Sequence, residues 1–343
     1  MTCARERDKM PHSTPPISAT VSIVASRAMA TRARVTPRNL FARRSSRERT
    51  ARTTRGRRAR TTTRAGLTTF PSDYAAMERQ CRRALKAAVG DGVDLCELQF
   101  PPGGLDLAPG DLEGNVECNL TTERLRGVCR VFAELGVENT TRVLFPDPTE
   151  MRLAMTGASP TPDGIRAPEQ SETRAMFADW KGRVDYVDAP NFMSVSGFDK
   201  ILGTKKSIAT RMRADDSAYV VAYPSANISE LANTRDLYED AVRGTGRAIV
   251  VCNGELERTR SNYYPPFWNA GEMGPLREFA RAFEGVYVIV NFKGSNPAVL
   301  FRCYPEPWQV LRRRRDGSLE RVTTFEKFES IKSVALDILP RYP

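Results

Sequence analysis

An α/β fold, in which a mostly parallel sheet is flanked by helices and extended by an antiparallel C-terminal hairpin, follows from three observations. Residues 218–223 (AYVVAY) and 247–252 (RAIVVC) are short apolar runs of the kind buried on both faces of a parallel sheet. Between them Asn227 and Glu230 form an Asn-x-x-Glu capping pair that opens a helix carrying Leu231, Tyr238, Ala241 and Val242. The last third of the chain spaces its strands closely around the hairpin turn Asp316-Gly317.

The remaining elements follow in order. Tyr74, Met77, Cys81, Ala84, Leu85 and Ala88 recur at helical spacing, with Ser72 as the predicted cap, Asp73 in the first turn and Gly90 at the end. A strand is predicted over 93–100, and the Pro- and Gly-containing stretch 101–117 reads as a long loop. Leu125, Val128, Cys129 and Phe132 form a second stripe closed by Gly136, followed by a strand over 141–145 and a helical segment over 150–155. A polar insert (156–171), a short strand (184–187) and a stretch of loop and short helix (190–215) lead to the central strand–helix–strand unit. After it come a helix over 275–283 with Pro275 at its first position, strands over 286–292, 298–304, 308–313 and 319–322, and a last helix ending at Pro340. The order of elements describes a Rossmann-like α/β domain.

Charge divides the chain unevenly. Residues 1–66 hold 17 Lys or Arg against 3 acidic residues, a net +14, whereas the whole chain is +11 and residues 67–343 are therefore −3. An Arg-, Ser- and Thr-rich stretch nearly free of acid is the composition of an organelle transit peptide, which sets 1–66 apart from a single domain over 67–343. The alternative is a basic arm that stays attached and meets nucleic acid. The transit reading assigns the basic charge to an address and implies no nucleic-acid partner for the domain.

The only histidine, His12, lies in that basic stretch. A domain without imidazole has no Ser-His-Asp or Cys-His machinery and no His-ligated metal site, so no catalytic residue and no metal ligand is assigned. Cys81, Cys96, Cys118, Cys129, Cys252 and Cys303 form no CxxC pair. Cys81, Cys129 and Cys252 fall on apolar faces and read as core thiols, while a regulatory disulfide involving Cys118 is the alternative. Gly203-Thr204-Lys205-Lys206-Ser207 fails the phosphate-loop pattern, and Gly244-Thr245-Gly246 ends a helix instead of opening one, so no nucleotide cofactor is implied. No apolar run approaches the length of a membrane span.

Two groups of residues are candidates for binding. In open α/β sheets ligands sit beyond the carboxyl ends of the strands, where Asp147, Ser225, Asn227, Asn253 and Glu255 are predicted to fall. Helix capping and turn formation account for the same residue types. The run Tyr263-Tyr264-Pro265-Pro266-Phe267-Trp268 is either a lid over the sheet or a partner surface, with Tyr263, Tyr264, Phe267 and Trp268 as the contacts. Arg312–Arg315 reads as a solvated hairpin tip.

The stretch Phe301-Arg302-Cys303-Tyr304-Pro305-Glu306-Pro307-Trp308-Gln309-Val310-Leu311 resembles the DUF1995 family, as do Phe70-Pro71, Leu144-Phe145-Pro146-Asp147, Ala222-Tyr223-Pro224 and Val251-Cys252-Asn253. The similarity spans about residues 70–342. This resemblance implies a plastid protein. The family occurs in photosynthetic eukaryotes and cyanobacteria; one plant member is regarded as a stromal auxiliary factor for photosystem II assembly, and a related domain is attached to a plastid adenylate kinase. The expectation is therefore a non-enzymatic, protein-binding factor of the chloroplast stroma, with a photosystem subunit or another plastid protein as partner and peripheral thylakoid association. A mitochondrial location is the less favoured alternative, and a small-molecule or nucleotide-binding enzyme or sensor using the strand-end crevice is the alternative function.

Overall fold

Alternation between apolar and polar positions sets which face of the sheet each residue covers, and the computed structural model shows the outcome for residues 66–342, except 102, 108–110, 112–113, 158, 162–163, 167–174, 189–206, 225–227, 262–269, 295 and 329. In chain order the elements are α1 (Tyr74–Gly90), β1 (Leu95–Gln99), α2 (Gly114–Val128), α3 (Arg130–Glu134), β2 (Thr141–Phe145), α4 (Pro148–Thr156), β3 (Ser159–Thr161), β4 (Gly164–Arg166), β5 (Arg183–Tyr186) and β6 (Ala218–Ala222). They continue with α5 (Ile228–Leu237), β7 (Ala248–Cys252), α6 (Leu256–Arg260), α7 (Ala270–Arg281), β8 (Glu284–Phe292), β9 (Ala298–Cys303), β10 (Trp308–Arg313), β11 (Leu319–Phe325) and α8 (Ile331–Ser333).

Nine strands form one sheet in the order β11-β10-β9-β8-β1-β7-β6-β2-β5, and β3-β4 make a separate small ladder. Pairing from β8 through β1, β7, β6 and β2 to β5 is parallel, whereas β8-β9, β9-β10 and β10-β11 are antiparallel. The predicted fold class is the observed one. On one face α1, α2, α3 and α4 pack Met77, Cys81, Leu85, Leu125, Phe132 and Ala154 against Cys96, Leu98, Val143, Val220 and Val250. On the other, α5 and α7 pack Leu231, Leu276 and Phe279 against Leu95, Leu144, Tyr219, Val221 and Ile249. The antiparallel end has its own cluster on that second face, in which Val288, Leu300, Trp308 and Val310 meet Val334 and Leu339.

The connections that carry these helices leave β1 and β7 toward opposite faces. α2 and α3 follow β1 on the first face, and α7 follows β7 on the second. In open α/β sheets ligands sit where neighbouring parallel strands part in this way.

Several local details differ from the sequence reading. Asp73, not Ser72, caps α1: its carboxylate accepts the Ala76 N–H at 2.7 Å, while the Ser72 hydroxyl donates to Asp73 at 2.8 Å. The stretch 101–117 is not all loop, because α2 begins at Gly114, and the insert contains β3 and β4. Pro275 lies inside α7, which starts five residues earlier at Ala270. The final helix is one α-helical turn followed by a π turn (Val334–Ile338) and a 3-10 turn (Leu339–Arg341) that accommodates Pro340. Gly244 and Gly246 sit at φ 71 and 76, as expected of residues that end a helix and turn the chain.

The amino ends of β2, β5 and β6 are tied by charge. The Asp216 side chain is fully buried and accepts from Arg142 Nε at 3.0 Å and from Arg183 Nη1. Asp185 bridges Arg142 and Arg211 at 3.3 and 2.6 Å. Each buried charge of this network therefore has a partner, which offsets the cost of burying it.

Candidate functional site

The middle strand of the sheet, β1, carries two polar residues where an apolar strand would have none. Leu95 packs into the second-face core, so by alternation Glu97 and Gln99 point the same way, and they are 5% and 8% exposed. Glu97 is neutralised by Arg260 of α6 at 2.6 Å, and Arg260 is held in place by donating to the Ala280 carbonyl at 2.9 Å. Gln99 Oε1 accepts the Glu255 N–H at 3.3 Å.

These groups form the floor of a cavity of about 300 Å³ between α6 and the C-terminal helix. Val288, Val290, Leu300, Trp308, Phe328 and Ile331 line its apolar wall, and Glu255, Glu257 and Arg258 line the polar side. A second lobe shares Glu97, Glu257, Arg260, Ser261, Trp308 and Phe328 and extends past Glu284, Glu326 and Lys327. The cavity exists because the second-face helix layer and the antiparallel-end cluster do not meet over β1 and β8.

Trp308 is the centre of the apolar wall. It stacks on Phe328 at 4.6 Å and on Phe325 at 6.3 Å, and the Arg302 guanidinium lies 5.6 Å from its ring centroid. Arg302 is itself fixed by donating to the Gly285 carbonyl at 3.3 Å and to Glu284 at 2.9 Å. Gly285 is required here: a Cβ would lie 2.6 Å from Trp308 Cζ2, inside van der Waals contact. The Tyr-Pro-x-Pro-Trp stretch, with a cis Tyr304–Pro305 bond, thus delivers the tryptophan that walls the cavity.

Electrostatics on the polar side are uneven. Burial raises the Glu255 carboxyl above its ordinary value, opposed by Arg258, whose Nε lies 2.5 Å from Glu255 Oε2. Burial also raises Glu257, opposed by the Ile331 N–H that its Oε1 accepts at 3.2 Å and by Arg260, and reinforced by Glu97. The other oxygen, Glu257 Oε2, is buried and has no hydrogen-bond partner among the described residues.

Of the strand-end candidates, Asp147 caps α4, accepting the Thr149 and Glu150 N–H groups at 2.6 and 3.0 Å. Asn253 is 7% exposed, and its side-chain amide bonds both backbone groups of Phe100 and reaches Thr121 Oγ1 at 3.4 Å. β2, β6 and β7 are neighbours, as convergence requires, but Asp147 and Asn253 are committed to the backbone, and of the described candidates Glu255 lines the cavity. Ser225, Asn227, Tyr263, Tyr264, Phe267, Trp268, Lys205 and Lys206 lie outside the described residues. Strain gathers at these strand ends: Tyr223, Asn253 and Glu255 have φ of 30, 50 and 43.

Arg312–Arg315 border a separate recess with Asn296, Pro297 and Asp316 at the hairpin. Cys81, Cys96, Cys129, Cys252 and Cys303 are buried free thiols, and Cys118 is half-buried and also free. Among the described residues no group of three or more His, Cys, Asp or Glu is placed to hold a metal ion, and no helix is long and apolar enough to cross a membrane.

Sequence reasoning missed Glu97, Gln99, Glu257 and Arg260. The available signal was the pair Glu97 and Gln99 at alternate positions of an otherwise apolar strand (LCELQ). No curated protein and no solved structure matches the chain. A profile described as a domain of unknown function (DUF1995) matches residues 71–336, nearly the whole described fold including the tryptophan-bearing wall of the cavity, and the chain belongs to that family.

Proposed function

We propose that the chain is a non-enzymatic auxiliary protein of the chloroplast stroma that binds another protein through the β1–α6–Trp308 crevice and supports photosystem assembly or thylakoid biogenesis. Membership of DUF1995 and the Arg-rich first 66 residues support the plastid part of this reading. The observation that carries the binding part is how the crevice uses its polar groups. Glu97 is paired with Arg260, Glu255 with Arg258, and Gln99 with a backbone N–H. These pairs fix the shape of a pocket beside an aromatic wall, a combination suited to taking up an anchoring side chain.

The test is affinity purification of the tagged protein from stroma and thylakoid, alongside Ser261→Tyr. Ser261 lines both lobes, and its hydroxyl makes one long bond of 3.5 Å to the Arg258 carbonyl, so a tyrosine there fills the crevice at little cost to the fold. Recovery of photosystem subunits with the parent chain and not with the variant supports the proposal. A parent chain that purifies alone from both fractions contradicts it.

The cavity volume of about 300 Å³ also favours a second reading, a small-molecule sensor, since it reaches the lower bound of ligand pockets. A thermal-shift screen against nucleotides and plastid metabolites separates the two, because selective binding to the folded state raises its melting temperature.

A further inference from the structure

Charge counting around the inner lobe leaves one group over. Its lining holds three carboxylates, Glu97, Glu255 and Glu257, and two guanidiniums, Arg258 and Arg260. Both guanidiniums are taken, Arg260 by Glu97 at 2.6 Å and Arg258 by Glu255 at 2.5 Å. The outer lobe adds Glu284, paired with Arg302, and Arg281, paired with Glu278. It also adds Glu326 and Lys327, and among the described residues no ion pair joins Lys327 to Glu257. Among the described residues Glu257 Oε2 is therefore a buried carboxylate oxygen with neither a hydrogen-bond donor nor an ion pair, whereas Glu255 Oε2, which also lacks a hydrogen bond, has the Arg258 ion pair; Glu257 lies beside a wall of Val288, Val290, Leu300, Trp308, Phe328 and Ile331. A buried anion in such a setting is stabilised by a cation that brings its own donors, and the apolar wall is matched by a hydrocarbon stem.

From this juxtaposition we infer that the crevice binds an organic cation, an amine or guanidine carried on an apolar stem, with Glu257 as its charged anchor and the Trp308–Phe328 wall against its hydrocarbon. This rests on the reading of the crevice as the binding site. The cation comes either from a free amine or from a lysine or arginine side chain of the protein partner. Aliphatic stems of long basic side chains pack along apolar surface while the charged head reaches a polar group, which is the geometry the cavity offers.

The experiment titrates hexylamine, agmatine, hexanol and hexanoate into the full chain and into its Glu257→Gln and Ser261→Tyr variants, following the melting temperature. Glu257→Gln keeps an oxygen for the Ile331 N–H, so its fold is retained, and its own melting curve verifies that. Hexylamine and agmatine are expected to stabilise the parent chain, hexanol to do so more weakly and hexanoate not at all. Glu257→Gln is expected to weaken the two cations by about tenfold to a hundredfold, the range of a lost charge-assisted hydrogen bond. Equal stabilisation by hexanoate, or an unchanged response in Glu257→Gln, overturns the inference. Loss of both hexylamine and the protein partner in Glu257→Gln identifies a partner side chain as the source, whereas loss of hexylamine alone identifies a free amine. A partner retained by Ser261→Tyr sinks the crevice reading itself, and that outcome is separate from failure of the cation.

Discussion

The side-chain amide of Asn253 imitates a backbone peptide toward Phe100: its Oδ1 accepts the Phe100 N–H at 2.9 Å and its Nδ2 donates to the Phe100 carbonyl at 3.0 Å. The Asn253 N–H meanwhile donates to the Leu98 carbonyl at 2.8 Å. Pairing between β1 and β7 thus continues past their last residues, at the point where the two chains part to opposite faces.

Asn253→Ala removes both bonds and places alanine at φ 50. Orphaned buried groups cost about 1–3 kcal/mol each, and alanine tolerates left-handed backbone less well than asparagine does. A loss of at least about 2 kcal/mol in urea unfolding is expected. A change below about 0.5 kcal/mol would show that the clamp contributes nothing to stability.

Gly285→Ala presses a methyl into the Trp308 ring. Overpacking of this kind costs about 1–3 kcal/mol. The near-ultraviolet circular dichroism of the stacked tryptophan should change together with the melting temperature, while far-ultraviolet signal is kept. An unperturbed aromatic signal would contradict the described packing.

Asp216→Asn leaves Arg142 and Arg183 without their shared carboxylate at the amino ends of three strands. Arg142 keeps Asp185 and Arg183 keeps Asp215, so the loss is that of charge-assisted hydrogen bonds, about 1.5–3 kcal/mol, and not that of an uncompensated charge. Equilibrium unfolding measures this, and a cost under about 1 kcal/mol would mean that the remaining carboxylates suffice for both guanidiniums.

The pH dependence of Glu257 has a definite sign. Its carboxyl is raised by burial from 4.5, so the folded state holds the proton more tightly than the unfolded chain. Its contribution is fully present below 4.5 and is lost as pH rises through the folded value. Glu257→Gln should therefore melt higher than the parent chain at pH 7, with the difference vanishing below pH 4.5. Equal melting temperatures at pH 7 would show that the carboxylate carries no burial cost.

Thiol reactivity should rank with burial. Burial pushes Cys118 up to about 11, with Glu150 and Glu117 adding to the effect, and pushes Cys81 and Cys252 well above 9.0. Two units above 9.0 lower the thiolate fraction at neutral pH by about a hundredfold. Iodoacetamide is expected to modify Cys118 slowly and the five buried thiols only on unfolding. Rapid native labelling of Cys81 or Cys252 would contradict this.

The centre of the parallel sheet was legible in the sequence because its strands are buried on both faces and so read as unbroken apolar runs, as at 218–222 and 248–252. Element ends were less legible where two polar residues compete for one role, as with Ser72 and Asp73, or where tertiary packing carries a helix through an unfavourable residue, as at Pro275. The short helix α6 escaped notice because five residues carry no periodic stripe. The cavity was hidden for a different reason. Its members come from residues 97 to 331, and only the topology that sets β1 beside β8 and under α6 brings them together. Strand-end logic located Glu255 but not Glu97, which lies mid-strand on the face of β1, nor Arg260, which comes from the helix that covers that face.

The most direct test of the central claim, that the β1–α6–Trp308 crevice is where this protein engages its partner, is recovery of photosystem subunits by the tagged chain and by Ser261→Tyr under identical conditions. The account predicts recovery with the parent chain and at least a tenfold loss with the variant at an unchanged melting temperature, a ratio set by losing one anchoring contact of about 1.4 kcal/mol. Equal recovery by the two chains would contradict it.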